Sequence, residues 1–123
     1  MTTIKSKSRL WDFGPQSYPE DRFGDAIIGA WAVEELKKQR DKPFLIAAGF
    51  YRPHVPFYAP QRFFDSRPLD EVQLPVVEEQ ERQDLPTAAI ELTANASPPQ
   101  NDWFVKSMQW KPAIQAYLVS VSF

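Results

Sequence analysis

The sequence predicts an α/β fold, and three stretches carry that prediction. Phe23, Ala26, Ile27, Ala30, Val33 and Leu36 recur at helical spacing. A short turn, Asp41 to Pro43, then feeds the apolar run Phe44 to Phe50, and Ile114, Tyr117, Leu118 and Val121 restore helical order further on. A helix that leads straight into an apolar strand is the repeating unit of α/β layers.

Residues 1–10 are polar and without periodicity, which predicts a flexible lead-in, with 11–123 as the ordered unit. From Trp11 the chain reads as loop, because Gly14 and Pro15 break regularity. Ser17 followed by Glu20 has the form of a capping box, so a helix is expected from about Pro19 to Arg40. Glu34, Glu35, Lys37 and Lys38 fall near its wet end. Trp31 and Ile28 add apolar surface on a second face, predicting that the helix packs against more than a sheet. Gly24 and Gly29 weaken it locally or admit another backbone.

Phe44 to Phe50, bounded by Pro43 and Pro53, has the length and composition of a strand buried on both faces. Beyond it Pro53, Pro56 and Pro60 remove N–H groups that a ladder or helix needs, predicting a rigid loop that is neither. Gln61 to Phe64 fits one helical turn, with Phe63 and Phe64 covering apolar surface. Asp65 to Gln109 is punctuated by Pro68, Pro75, Pro86, Pro98 and Pro99 and carries the charged run Glu78 to Asp84, a solvated loop. It reads as a long irregular connection draped over a body larger than this chain supplies. Lys111 to Phe123 is expected as the last helix, Pro112 standing where a first turn tolerates it. The sequence stops on an apolar residue without a capping signal, which reads as an interruption.

Composition narrows the function classes. A chain of 123 residues, 43% hydrophobic and 14% aromatic, suffices for one core. A net charge of -2 and no cluster of Lys and Arg argue against a nucleic-acid surface. The absence of cysteine removes disulfides, thiolate metal sites and a cysteine nucleophile. With no 18-residue apolar run and a polar, basic start, neither a membrane anchor nor a signal peptide is expected. The compartment stays open.

The chemistry-bearing candidate is His54, the sole histidine. It follows the predicted strand at its carboxyl end, where open α/β sheets place ligand-facing groups, in a loop stiffened by proline. Position names no reaction, and a surface or capping histidine is the plain alternative. Phe50, Tyr51, Phe57 and Tyr58 fit either a sugar-stacking wall or ordinary core. Pro53-x-x-Pro56 matches a polyproline ligand pattern of low specificity, and Asn95-Ala96-Ser97 matches a glycosylation acceptor whose following Pro98 disfavours use.

Residues 44–60, FLIAAGFYRPHVPFYAP, resemble the segment that carries G-[FY]-x-[KR]-P-H-x-P-[FY] in the type I sulfatases, especially their iduronate-2-sulfatase-like branch. The likeness runs from residue 11 to 123. Asp25 to Leu36 is similar to the helix before that segment, and Gln61 to Pro75 and Asp84-Leu85-Pro86 resemble its continuation. Trp110 to Phe123 resembles the helix W-x-x-A-x-x-A-Y-L-x-S-V-S-F. The resemblance implies an alkaline-phosphatase-like α/β/α sandwich, present here in part, whose full members hydrolyse sulfate monoesters. In that family a formylglycine made from Cys or Ser in C/S-x-P-x-R attacks sulfur beside a calcium ion, and a histidine contacts the sulfate and assists the leaving oxygen. Only the histidine carries over, onto His54; as an acid it would contribute about 100- to 10,000-fold. Arg52, through its fork of donors, is the second candidate for sulfate or a sugar carboxylate, or else an ordinary solvated or internally paired arginine.

The departures bear on activity. There is no cysteine, and Ser66-Arg67-Pro68-Leu69-Asp70 has Asp where the motif needs Arg and lies downstream of His54 rather than upstream. No paired aspartates offer the oxygen cage that calcium requires, so no metal residue is assigned. Calcium and formylglycine are expected only in full-length relatives, which work mostly in the periplasm, the lysosome or outside the cell. The first expectation is thus a piece of a sulfatase, acting in its parent on a sulfated small molecule or glycan but not self-sufficient. The alternative is a non-catalytic binding or complementation module that needs a second polypeptide. A third possibility is an unrelated small α/β protein with a coincidental motif.

Overall fold

The structure, a computed structural model, describes residues 11–77, 83–94 and 99–123. The expected lead-in 1–10, most of the charged run and Asn95-Ala96-Ser97 lie outside them. Among the described residues a two-stranded parallel sheet forms from β1 (Phe13–Gln16) and β2 (Phe57–Pro60), with Phe13 opposite Phe57 and Gln16 opposite Pro60. The crossover between them contains a 3-10 turn, Glu20–Arg22, and α1 (Gly24–Lys37). After β2 come α2 (Gln61–Asp65), a 3-10 turn at Leu69–Glu71, α3 (Thr87–Ala94), α4 (Asn101–Lys106) and α5 (Trp110–Ser122). Helices and parallel strands joined by a helical crossover make this an α/β fold. No helix among the described residues is long and apolar enough to cross a membrane.

The core lies where α5 and α2 cover the sheet. Phe13, Ala59, Phe64, Phe104, Ala113, Ala116 and Val119 form one buried cluster, with Trp11, Phe57, Phe63 and Phe123 packed around it. Ala59 and Ala116 are both 0% exposed. Their lack of bulk lets α5 approach β2 closely, and the aromatic rings then fill the flanks. Trp11 meets Phe57 and Phe104 edge-on at centroid distances of 5.9 and 5.8 Å, an arrangement favoured by the ring quadrupoles. The buried face of α5 is therefore Ala113, Ala116, Val119 and Ser120. The expected face had Tyr117 and Val121, which are exposed. Periodicity marked the helix, but close approach to the sheet selected its small-residue face.

The predicted buried strand is corrected. Residues 43–50 join no strand, and Phe44, Leu45 and Phe50 are exposed, Leu45 at 89%. A strand buried on both faces needs a ladder partner at its edge and a packed layer over each face. Here the pairing is between β1 and β2, and no described segment pairs with 44–50. The two strands that do form were read as loop. Gly14 adopts φ 138, a backbone that side chains rarely accept, and Pro15 and Pro60 are tolerated because each strand is an edge. Phe57 N–H still donates to Asp12 O at 3.0 Å.

The expected helix from Pro19 to Arg40 is split at Phe23, whose extended backbone (φ -75, ψ 138) separates the 3-10 turn from α1. Its capping box does not form, because Glu20 instead holds Arg62 through two hydrogen bonds of 2.5 and 2.6 Å. The wet end is as expected: Lys37 pairs with Glu34, and Lys38 and Arg40 pair with Glu35. The packing is not as expected, for α1 buries no residue, and Ile27, Trp31, Val33 and Leu36 are half exposed or more. Gly29 admits no other backbone: the nearest neighbour is the Phe50 ring, 3.9 Å from where a Cβ would stand, an ordinary contact. Attachment to the body runs through Phe23, buried against Tyr18 and the terminal Phe123 at 4.4 and 4.9 Å. The helical turn after Pro60 is present as α2. The long connection is less irregular than expected, since α3 and α4 interrupt it.

Candidate functional site

His54 lies on the loop between residue 50 and β2, exposed, three residues before the amino end of that strand. The expectation that it sits at a strand's carboxyl end fails with the strand itself. The loop is nonetheless well specified. His54 N–H donates to Tyr51 O at 3.0 Å, closing a turn, and the peptide bonds before Pro53 and Pro56 are cis. Tyr51 Oη donates to Val55 O at 2.9 Å, and the Tyr51 and His54 rings lie 4.8 Å apart, tilted by 44°.

The imidazole has a defined tautomer. Its Nδ1 lies 2.7 Å from Val55 O. A carbonyl oxygen only accepts, so Nδ1 carries the proton and donates. Nε2 is then the ring atom left for an outside group: an acceptor when the ring is neutral, a donor when it is cationic. Such an arrangement can hold an anion or give a proton to an oxygen placed beside it.

Arg52 is half-buried and turned into the loop. Its Nε donates to Tyr58 O at 2.9 Å and its guanidinium lies 5.4 Å from the Tyr51 ring, so one of its five donors is committed to the protein. The four aromatics divide: Phe50 and Tyr51 are exposed, while Phe57 packs on the core and Tyr58 is held by Asp12. Tyr58 Oη donates to Asp12 Oδ2 at 2.5 Å. Burial first, then this carboxylate, pushes the phenol up to about 12.

One group that sequence reasoning did not single out is Asp25, in the first turn of α1. Its Oδ1 accepts the Tyr51 N–H at 2.6 Å and its Oδ2 the Arg52 N–H at 3.0 Å. An acid near a helix start was a visible signal; its reach across 26 residues was not.

A cavity of about 500 Å³ lies beside β1, lined by Asp12, Gln16, Phe64, Gln109 and Gln115 among others. A smaller apolar one, about 240 Å³, lies under Trp11, Trp110 and Tyr117. Neither includes His54 or Arg52.

The chain is 40% identical, over 125 aligned positions, to a curated protein of Formosa agariphila named Sulfatase; the alignment takes in 96% of this chain and 25% of that relative. The chain is thus similar to that sulfatase over nearly its whole length. It spans about a quarter of the length of the sulfatase it matches. No family model matches the chain, and no solved structure does. Calcium and formylglycine, which the sulfatase resemblance implies, find no fitting site among the described residues. Among the described residues no three His, Asp or Glu side chains gather to hold a cation. There is no cysteine, and Ser66 is a helix-end residue whose Oγ donates to Phe63 O at 2.9 Å. No step is therefore derived through either group.

Proposed function

We propose that this chain is the histidine-bearing segment of a sulfate monoester hydrolase of the sulfatase family, with His54 directed at the sulfate group and Arg52 a secondary contact. The observation that carries the reading is 40% identity across 96% of the chain, in a sequence whose only histidine lies in Gly-Phe-Tyr-Arg-Pro-His-Val-Pro-Phe. The alkaline-phosphatase-like sandwich and the iduronate-2-sulfatase-like branch belong to this proposal. The chemistry follows from the tautomer. With Nδ1 bound to Val55 O, a cationic ring presents Nε2–H to the bridging oxygen, offsetting the charge that develops as sulfur and oxygen separate. Attack on sulfur needs a nucleophile this segment does not supply, so the isolated chain is expected to hydrolyse no p-nitrophenyl sulfate.

Binding tests the reading on the protein itself. Titration with inorganic sulfate, followed by NMR at the His54 ring, should give a saturable shift that is weakened in Arg52→Ala. A ring signal unmoved by sulfate would contradict it, as would turnover by the chain alone.

A second reading, a complementation module covered by another polypeptide, is favoured by one observation. The unpaired apolar segment 44–50 and the exposed Ile27, Trp31 and Leu36 of α1 belong to the same unpartnered half of the molecule. A monomer by size exclusion whose 44–50 amides are already protected from exchange would remove the need for a partner.

A further inference from the structure

We infer that Asp25 is a positioning residue for His54, fixing the imidazole through the backbone of residues 51 and 52. This rests on the reading of His54 given above, but its evidence is separate. Both carboxylate oxygens of Asp25 are used, each on one of two consecutive backbone amides, at 2.6 and 3.0 Å. Hydrogen bonds to an ionised acceptor are stronger than those between neutral groups. Beyond residue 52 the loop is tied largely to itself. Tyr51 O accepts the His54 N–H, and Val55 O accepts both the Tyr51 hydroxyl and the His54 Nδ1–H. The Arg52 Nε–H closes the far side onto Tyr58 O. These bonds specify the loop's shape but not its placement on the body.

Placement comes from two sides: β2, which continues directly from the loop, and Asp25 on α1. The second matters more because the stretch leading in, 43–50, joins no strand, so no ladder holds Tyr51 from its amino side. α1 is in turn pinned to the core by Phe23, two residues before Asp25 and 2% exposed. The sequence of supports is therefore core, Phe23, Asp25, the Tyr51 and Arg52 amides, Val55 O and the imidazole. Removing the carboxylate leaves two amides to water and releases the Tyr51 backbone on which both the ring contact and the His54 turn depend.

The test reads the His54 tautomer by ring nitrogen shifts and the exchange of the Tyr51 and Arg52 amides, in the wild-type chain, Asp25→Ala and Asp25→Asn. The core amides of Ala116 and Val119 report whether the fold is retained, and Glu34→Gln, on the same helix but bonded to Lys37, is the control. Asp25→Ala should speed exchange at 51 and 52 by about tenfold or more, the factor that 1.4 kcal/mol represents and the lower end for a bond to a charged group. His54 should shift from the Nδ1–H form towards a tautomer mixture, with Ala116 and Val119 unchanged. Asp25→Asn, which keeps one acceptor oxygen, should fall between, and Glu34→Gln should match wild type. Wild-type tautomer and exchange in Asp25→Ala overturn the inference. If that variant loses core protection, Asn decides: a tautomer shift with intact core supports the inference, and none overturns it. Sulfate failing to perturb His54 while the tautomer still follows residue 25 would sink the functional reading and leave this one standing.

Discussion

The two halves of the molecule are built on different terms. One half, β1, β2, α2, α4 and α5, closes on itself around Phe13, Phe64, Phe104 and Val119. The other, α1 with the segment 43–56, carries as much apolar character in its sequence but buries almost none of it. Burial is the main favourable contribution to folding, about 25 cal/mol per Å² of apolar surface, so stability should reside in the first half. The second half is attached through the Phe23 ring and Arg62 on Glu20 and is tied together internally by Asp25 on two amides. His54 belongs to that second half, which is why its geometry depends on a few polar contacts rather than on packing.

The comparison breaks most readily at Phe104, 8% exposed between Trp11 and Trp103. Phe104→Ala should destabilise the chain by about 3–5 kcal/mol, measured by urea unfolding. Leu45→Ala, in the open half, should stay within about 0.5 kcal/mol; equal effects would mean that 44–50 is covered in solution. Next comes Ala116→Leu, which forces α5 away from β2 and should cost about 1–3 kcal/mol. A neutral result would show the contact between α5 and β2 to be looser than described.

Tyr58→Phe tests a bond that joins β2 to Asp12 ahead of β1, with an expected loss of about 0.5–1.5 kcal/mol at neutral pH. It also carries a pH signature. The Tyr58 phenol is raised from 10.0 to about 12 in the fold, so the unfolded chain releases this proton first. The stability it contributes is full below pH 10 and is lost as pH rises through about 12. The variant should lack that part of the alkaline decline. The smallest effect is expected at Glu20, held below its usual 4.5 chiefly by the Arg62 hydrogen bond. A lowered acid contributes above pH 4.5 and loses that contribution as pH falls through its folded value, so Glu20→Gln should flatten the acid limb slightly in thermal unfolding.

In the closed half α2 and α5 were legible because their signals are local, whereas β1, β2 and α4 were not. Pro60 followed by Phe63 and Phe64 marked α2, and the repeat Ile114, Tyr117, Leu118 and Val121 marked α5. Which face of α5 turned inward was not legible, since that depends on how closely Ala59 and Ala116 allow two backbones to approach. β1 was hidden by Gly14 and Pro15, residues that argue against a strand unless it lies at an edge. In the open half the reverse held. Phe44 to Phe50 has the composition of a buried strand, but a strand needs neighbours, and sequence composition does not say whether a chain contains them. The candidate site was legible as His54 and Arg52 through their motif. Asp25 was not, because its role is a contact between segments 26 and 27 residues apart.

The most direct test is a chimaera in which this chain replaces the matching quarter of the Formosa agariphila sulfatase, assayed on p-nitrophenyl sulfate. Turnover that falls by about 100-fold or more in His54→Ala, with folding intact, is the predicted result. A chimaera that folds and turns over equally well without the imidazole would contradict it.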